Sequence, residues 1–234
     1  MSISMSRRTA ASPGRVVAWL PSTPMLVPEI TGDAGAAIGS LRAAVDAAVA
    51  RAVRDDPAVI TVIAPTDAPH LSDTGAWSWH GFGVGYRPQT ETLPWQLGLG
   101  AWLLDRAGWH GQRCHVGVTA GREPSGRERR SPAVPDRGNL LVLGDGCAGL
   151  DEGTTPAVRD HARAWDDHLA AALTQGDPAQ LTSLDAGTGT RLMASAATSY
   201  PVAGALLAGS AWQADLLYRA APFDIGYLVA VWSS

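Results

Sequence analysis

The chain has 234 residues, 46% of them apolar, a net charge of −4 and a mean hydropathy of zero. That is enough apolar material for a sizeable core, with no run near the roughly 18 residues needed to span a membrane. All 18 basic residues are arginine, so chemistry that needs a lysine is excluded: Schiff-base catalysis, pyridoxal phosphate attachment and the P-loop. No basic stripe is present, which argues against a nucleic-acid partner. Cys114 and Cys147 stand far apart without a CxxC pattern, which gives no support for a disulfide framework or a structural zinc site.

Residues 1–14 carry Arg7 and Arg8 but no following apolar region. They read as a disordered or extended tail rather than a secretory signal, and a cytoplasmic location is the expectation. A single α/β domain is expected over 15–234. Residues 15–21 predict a short apolar strand that runs into the Pro-punctuated segment Pro21-Ser22-Thr23-Pro24-Met25-Leu26-Val27-Pro28-Glu29. A loop at the carboxyl end of a first strand is where open α/β sheets place ligands. Ser22 and Thr23 are therefore candidates for contacting an anion or a carbonyl, or hydroxyls that stabilise the loop.

Asp33 is placed to cap a helix over 34–54, where Ile38, Leu41, Val45, Val49 and Val53 recur at helical spacing. Residues 58–64 form a continuous, largely β-branched run, the mark of a buried parallel strand. Residues 66–92 are rich in loops and aromatics and fit a hairpin or an active-site lid. Asp67, His70 and His80 fall in this stretch. It should border the strand-end crevice, which makes Asp67 a candidate catalytic acid and the two histidines candidate ligand-binding or acid–base residues; ordinary loop histidines are the competing reading.

A helix is predicted over 94–107, with Pro94 in its first turn and Gly108 closing it. A strand is predicted over 115–120, an Arg-rich loop over 121–138 and a buried strand over 139–143. The turn Gly144-Asp145-Gly146 follows that last strand. Asp145 can shape the turn or do chemistry there. Cys147 is a candidate nucleophile if its pKa is lowered, and otherwise a small buried residue. Helices are predicted over 156–174, with Val158, Ala162, Trp165, Leu169 and Leu173 on one face, then from Asp177 to Leu184, over 187–197 and over 201–210 after Pro201. Two final strands lie near 216–218 and 226–232. Alternating strands and helices indicate a three-layer α/β fold with a mostly parallel central sheet.

Several of these segments resemble the class III extradiol dioxygenase superfamily of LigB-like and Memo-like proteins. The opening stretch is similar to Pro-His-Pro-Pro-Leu-Leu-(Ile/Val)-Pro-Glu, with Ser22 at the position of the histidine. Leu141-Val142-Leu143-Gly144-Asp145-Gly146-Cys147-Ala148 resembles the Met-Gly-Asp-Gly-Ser-Ala signature of an actinobacterial group within that superfamily. Residues 101–109 resemble the central helix of that group, and residues 215–227 its C-terminal pair of strands. The four segments span the chain in the right order.

In the ring-cleaving members two histidines and a glutamate hold Fe(II), and a further histidine acts as acid and base. The corresponding positions here are Ser22, the turn Ala64-Pro65-Thr66-Asp67 with His70 displaced from it, and Ala148; no glutamate follows Glu152. The resemblance therefore implies a divergent LigB-like fold without the usual iron site. No cofactor is expected. The protein would bind an aromatic or other small ligand or act as a non-catalytic subunit, either as a homo-oligomer or beside an unlike partner. The alternative is an enzyme: a dioxygenase with Fe(II) held by relocated ligands such as His70 and His80, or a metal-free catalyst using Asp67, Asp145 or Cys147.

Overall fold

The computed structural model describes residues 14–120, 138–150 and 153–234. The Arg-rich loop lies almost entirely outside them, as do residues 1–13 of the expected tail and the side chain of Asp33. Among the described residues seven strands form one sheet: β1 (Val16–Leu20), β2 (Val59–Pro65), β3 (His70–Ser72), β4 (Gln112–Val118), β5 (Asn139–Leu143), β6 (Gln213–Ala220) and β7 (Tyr227–Ser233), in the order β3-β4-β2-β5-β1-β7-β6.

The four central strands, β4-β2-β5-β1, are parallel. The pairs β3–β4, β1–β7 and β6–β7 are antiparallel. The sheet is thus mixed: its centre is parallel, as expected, and its antiparallel pairs lie at the two edges. The two final strands form a hairpin on one edge, and a three-residue strand from the loop-rich region closes the other.

The central strands read as continuous apolar runs because both faces are covered. Ala18, Leu20, Ile60, Val62, Leu141 and Leu143 enter one core, under α2 (Gly39–Val53) and α3 (Trp95–Arg106). Val17, Trp19, Ile63, Leu140 and Val142 enter the second. That core lies under α4 (Pro156–Gln175), α5 (Pro178–Thr182) and α7 (Ala196–Leu207). A short α1 (Pro28–Thr31) and α6 (Ala186–Arg191) complete the helices of the described residues. None is long and apolar enough to cross a membrane.

Three local expectations are corrected. The helix expected from residue 34 is a 3₁₀ turn, Gly32–Ile38, before the α-helix starts at Gly39. The strand expected from 115 begins at Gln112, where pairing with β2 extends it. The helix expected over 187–197 breaks after Arg191; Met193 takes a positive φ of 56°, and α7 then runs from Ala196 straight through Pro201. Proline normally ends such a pattern, because it removes an N–H and crowds the preceding turn. Here contacts with the sheet hold the start of α7, as described below, so the helix begins five residues before its proline. On α4, Ala162, Trp165, Leu169 and Leu173 are buried as predicted, whereas Val158 is 44% exposed.

The site follows from the connections. The chain leaves β1 for α2 on one face and leaves β5 for α4 on the other. Neighbouring parallel strands whose connections diverge in this way open a crevice at their carboxyl ends. Ser22 follows β1 and Asp145 follows β5.

Candidate functional site

A cleft of about 230 Å³ opens at this crevice. Ser22, Asp67, Asp145 and Ala120 reach it from the ends of the four parallel strands, Trp95 and Gln96 from the start of α3, and Ser195 and Thr198 from the start of α7. A larger groove of about 960 Å³ lies at the opposite, amino-terminal ends of the strands. Its Arg51 and Asp215 are satisfied by each other at 2.6 Å, and no residue singled out from the sequence faces it. The strand-end cleft is the better candidate on chemical grounds.

Asp145 is the centre of the cleft. Its carboxylate accepts the Ser22 N–H at 2.8 Å. Its own N–H donates to Ser195 Oγ at 2.8 Å, and its carbonyl accepts the Ala196 N–H at 2.9 Å. The first residues of α7 are therefore capped by the backbone of Asp145, which is why that helix starts where it does.

The loop that carries Asp145 is tied down residue by residue. The N–H groups of Gly144, Gly146, Ala148 and Gly149 donate to the carbonyls of Leu20, Gly226, Leu192 and Asp224 at 2.8–3.1 Å, and that of Cys147 donates to Asp166 Oδ1 at 2.8 Å. Six consecutive amides, from Gly144 to Gly149, are thus each bonded to another part of the chain. Gly146 and Gly226 are required here: a Cβ on either would lie 2.6 or 1.9 Å from the Asp166 carboxylate. Beneath the loop, the Tyr200 hydroxyl bonds the carbonyls of Leu20 (3.3 Å) and Gly144 (3.2 Å), joining the ends of β1 and β5.

This packing strips water from Asp145, although part of the residue still meets the cleft. Loss of solvation raises its carboxyl to about 7, against hydrogen bonds from the Ser22 N–H and Ser195 that favour the charged form. A carboxyl that titrates near neutrality at the floor of a cleft is a candidate acid–base group.

The structure brings together only some of the residues singled out from the sequence. Ser22, Asp67 and Asp145 line the cleft, Asp67 at its exposed rim. Thr23 is buried and used by the loop: its Oγ1 accepts the Met25 N–H at 3.3 Å, and the Tyr227 hydroxyl lies 3.5 Å away. Cys147 is buried in the second core. Burial and the neighbouring Asp166 carboxylate push its thiol far up, the reverse of what a nucleophile needs.

His70 sits on β3 beyond the lining residues, next to Thr66 across Gly117, and its buried Nε2 has no hydrogen-bond partner among the described residues. His80 is exposed in a 3₁₀ turn. Gln96, Trp95, Ser195 and Thr198 were not singled out by the sequence. The signal that would have found Ser195 and Thr198 is the break before α7, and nothing local in Leu192-Met193-Ala194 announces it.

The fit to Fe(II) follows from the donor set. The cleft offers carboxylates, hydroxyls and an amide, without the two imidazoles of a facial iron triad. Among the described residues no three His, Cys, Asp or Glu side chains converge as metal ligands. The residues present do not fit the iron centre of the resembled family. Comparison of the chain with protein-family models and with curated proteins finds no match.

Proposed function

We propose that this chain is a divergent LigB-like protein that binds a small ligand in the strand-end cleft. The observation that carries the reading is the meeting of the two segments on which the resemblance chiefly rests. Ser22, from the opening signature, and Asp145, from the Gly-Asp-Gly signature, share a hydrogen bond at the cleft floor. The loop behind them is fixed by six consecutive bonded amides, a preorganised platform rather than a flexible surface turn. A fragment screen by thermal shift on the full chain tests it. Hits should vanish in Thr198→Trp, which fills the cleft from α7; hits that persist in that variant place binding elsewhere and sink the reading.

A second reading has its own support. The Asp145 carboxyl, at about 7, is suited to moving a proton near neutral pH, so the cleft would serve a metal-free acid–base enzyme. Its test is any turnover found with the hits above: activity that survives Asp145→Asn rejects it. A dioxygenase with relocated ligands draws less support, because His70 and His80 stand outside the cleft lining. Metal analysis of anaerobically purified protein, with O₂ uptake on catechols, decides that branch. A role as a non-catalytic subunit would show as a defined complex with an unlike chain on co-purification.

A further inference from the structure

The charged side chains among the described residues of the cleft are Asp67 and Asp145, both acidic, at the ends of the adjacent strands β2 and β5. Adjacent strands run about 4.8 Å apart, so the two carboxylates flank one opening and their attraction for a cation adds. A second observation is independent of charge. Ser22 is 3% exposed and lines the cleft, and among the described residues its hydroxyl has no hydrogen-bond partner. A hydroxyl at the floor of a cleft without a protein partner is completed by water or by a polar ligand group that displaces it. An ammonium or amidinium brings donors only, and here the Ser22 oxygen and the two carboxylates are the acceptors.

The remaining wall is mixed: Thr66, Gln96, Ser195 and Thr198 are polar, and Pro65, Trp95 and Ala120 supply the apolar surface. Trp95 lines the mouth and is braced edge-to-face by Phe82, with centroids 5.5 Å apart and planes at 87°. An indole offers contact to an apolar body and attraction to a cation over its face. The volume of about 230 Å³ lies below the usual range for drug-sized ligands, roughly 300–1,000 Å³, so the ligand is compact. A hard metal ion would use the same oxygens but leave the indole and most of that volume idle.

Resting on the ligand-binding reading above, we propose that the cleft selects a small organic cation, an ammonium or amidinium group on a compact apolar body, with its charge between Asp67 and Asp145 and its body against Trp95.

The test is calorimetry on the full chain at pH 8 with four probes: benzylamine, the near-isosteric benzyl alcohol, benzoate and Mg²⁺. Benzylamine is expected to bind at least tenfold more tightly than benzyl alcohol. Asp145→Asn and Asp67→Asn should each weaken it severalfold; Asp67 is exposed, so that variant leaves the fold intact. Trp95→Ala should weaken benzylamine and benzyl alcohol alike. Equal or tighter binding of benzyl alcohol or benzoate, lost in Trp95→Ala, overturns the charge selection and leaves the ligand-binding reading standing. Mg²⁺ binding that displaces benzylamine overturns the choice of an organic cation. Benzylamine binding indifferent to both aspartates overturns the proposal as adventitious contact. If no probe binds and the fragment screen also fails, both readings fall.

Discussion

The backbone N–H of Ser22 donates to the Asp145 carboxylate at 2.8 Å, joining two residues 123 positions apart. The bond closes the gap between the ends of β1 and β5, the strands whose connections part to opposite faces of the sheet. It also gives a buried carboxylate a neutral partner where a cation would ordinarily stand. The floor of the cleft is thus geometrically fixed and electrostatically unfinished.

That state has a pH signature. The Asp145 carboxyl is raised from 3.8 to about 7 by burial, so between these values the folded chain holds a proton that the unfolded chain has lost. Stability therefore falls as pH rises from about 4 to 7 and is flat for this group above that. Asp166 is raised by burial as well and adds a slope of the same sign. Full ionisation of a group shifted this far corresponds to about 4 kcal/mol, and contact with solvent at the cleft trims it. Asp145→Asn keeps an oxygen for the Ser22 N–H and never ionises. Urea denaturation should find it more stable than the parent by about 2 kcal/mol at pH 8 and little different at pH 4. An equal difference at both pH values would show that Asp145 is ionised throughout.

The thiols give a simpler expectation. Cys114 and Cys147 are 3% and 0% exposed, and burial and then a neighbouring aspartate raise both thiols. A chromogenic disulfide reagent should detect no rapidly reacting thiol in the native protein and two after denaturation. One fast native thiol that maps to Cys147 would restore it as a nucleophile.

Gly226 gives the sharpest packing test. A Cβ there would lie 1.9 Å from an Asp166 oxygen, and that carboxylate is itself held by the Cys147 N–H. The carboxylate has nowhere cheap to move, because displacing it frees a buried amide. Gly226→Ala should cost about 2–3 kcal/mol in chemical denaturation. Gly226→Ala combined with Asp166→Asn should recover little, since the clash remains.

How much of this was legible in the sequence varies with the kind of constraint. The strand at 139–143 and the helix from Pro156 declare themselves through continuous burial and 3.6-residue spacing, and both lie where expected. The Gly144-Asp145-Gly146 turn was legible because glycines flank a single acid after a strand. The partners of Asp145 were not. Ser195 reaches the cleft only because the helical pattern breaks at Met193, and the start of α7 is fixed by the backbone of Asp145, 51 residues earlier than the Ala196 it caps. Likewise β5 inserts between β1 and β2 through inter-strand pairing, which no local pattern in a β-α-β segment encodes.

The aromatic segment before α3 supplies the last prediction. Asp105 on α3 accepts from the Trp77 indole at 2.7 Å and from Arg113 at 2.6 Å, and Arg113 also donates to the Trp109 carbonyl at 2.8 Å. One carboxylate therefore ties the 73–92 segment, α3 and β4 together. Burial pushes the Asp105 carboxyl up, but the hydrogen bonds from Arg113 and Trp77 and the charge of Arg113 outweigh it, so the net shift is downward. The tie is present at neutral pH and is lost as acidification passes below the ordinary carboxyl value. Trp77 packs on Trp79 at 5.4 Å, Trp79 on Phe82 at 6.4 Å and Phe82 on Trp95 at the mouth of the cleft. Asp105→Ala should therefore do more than remove about 1–3 kcal/mol of stability by leaving the Trp77 indole without its acceptor and Arg113 without its counter-charge. It should shift tryptophan emission to the red and speed proteolysis within 73–92 at neutral pH, with the parent showing the same change only on acidification. If emission and cleavage match the parent while stability falls, the tie to Asp105 does not hold the aromatic chain over the cleft.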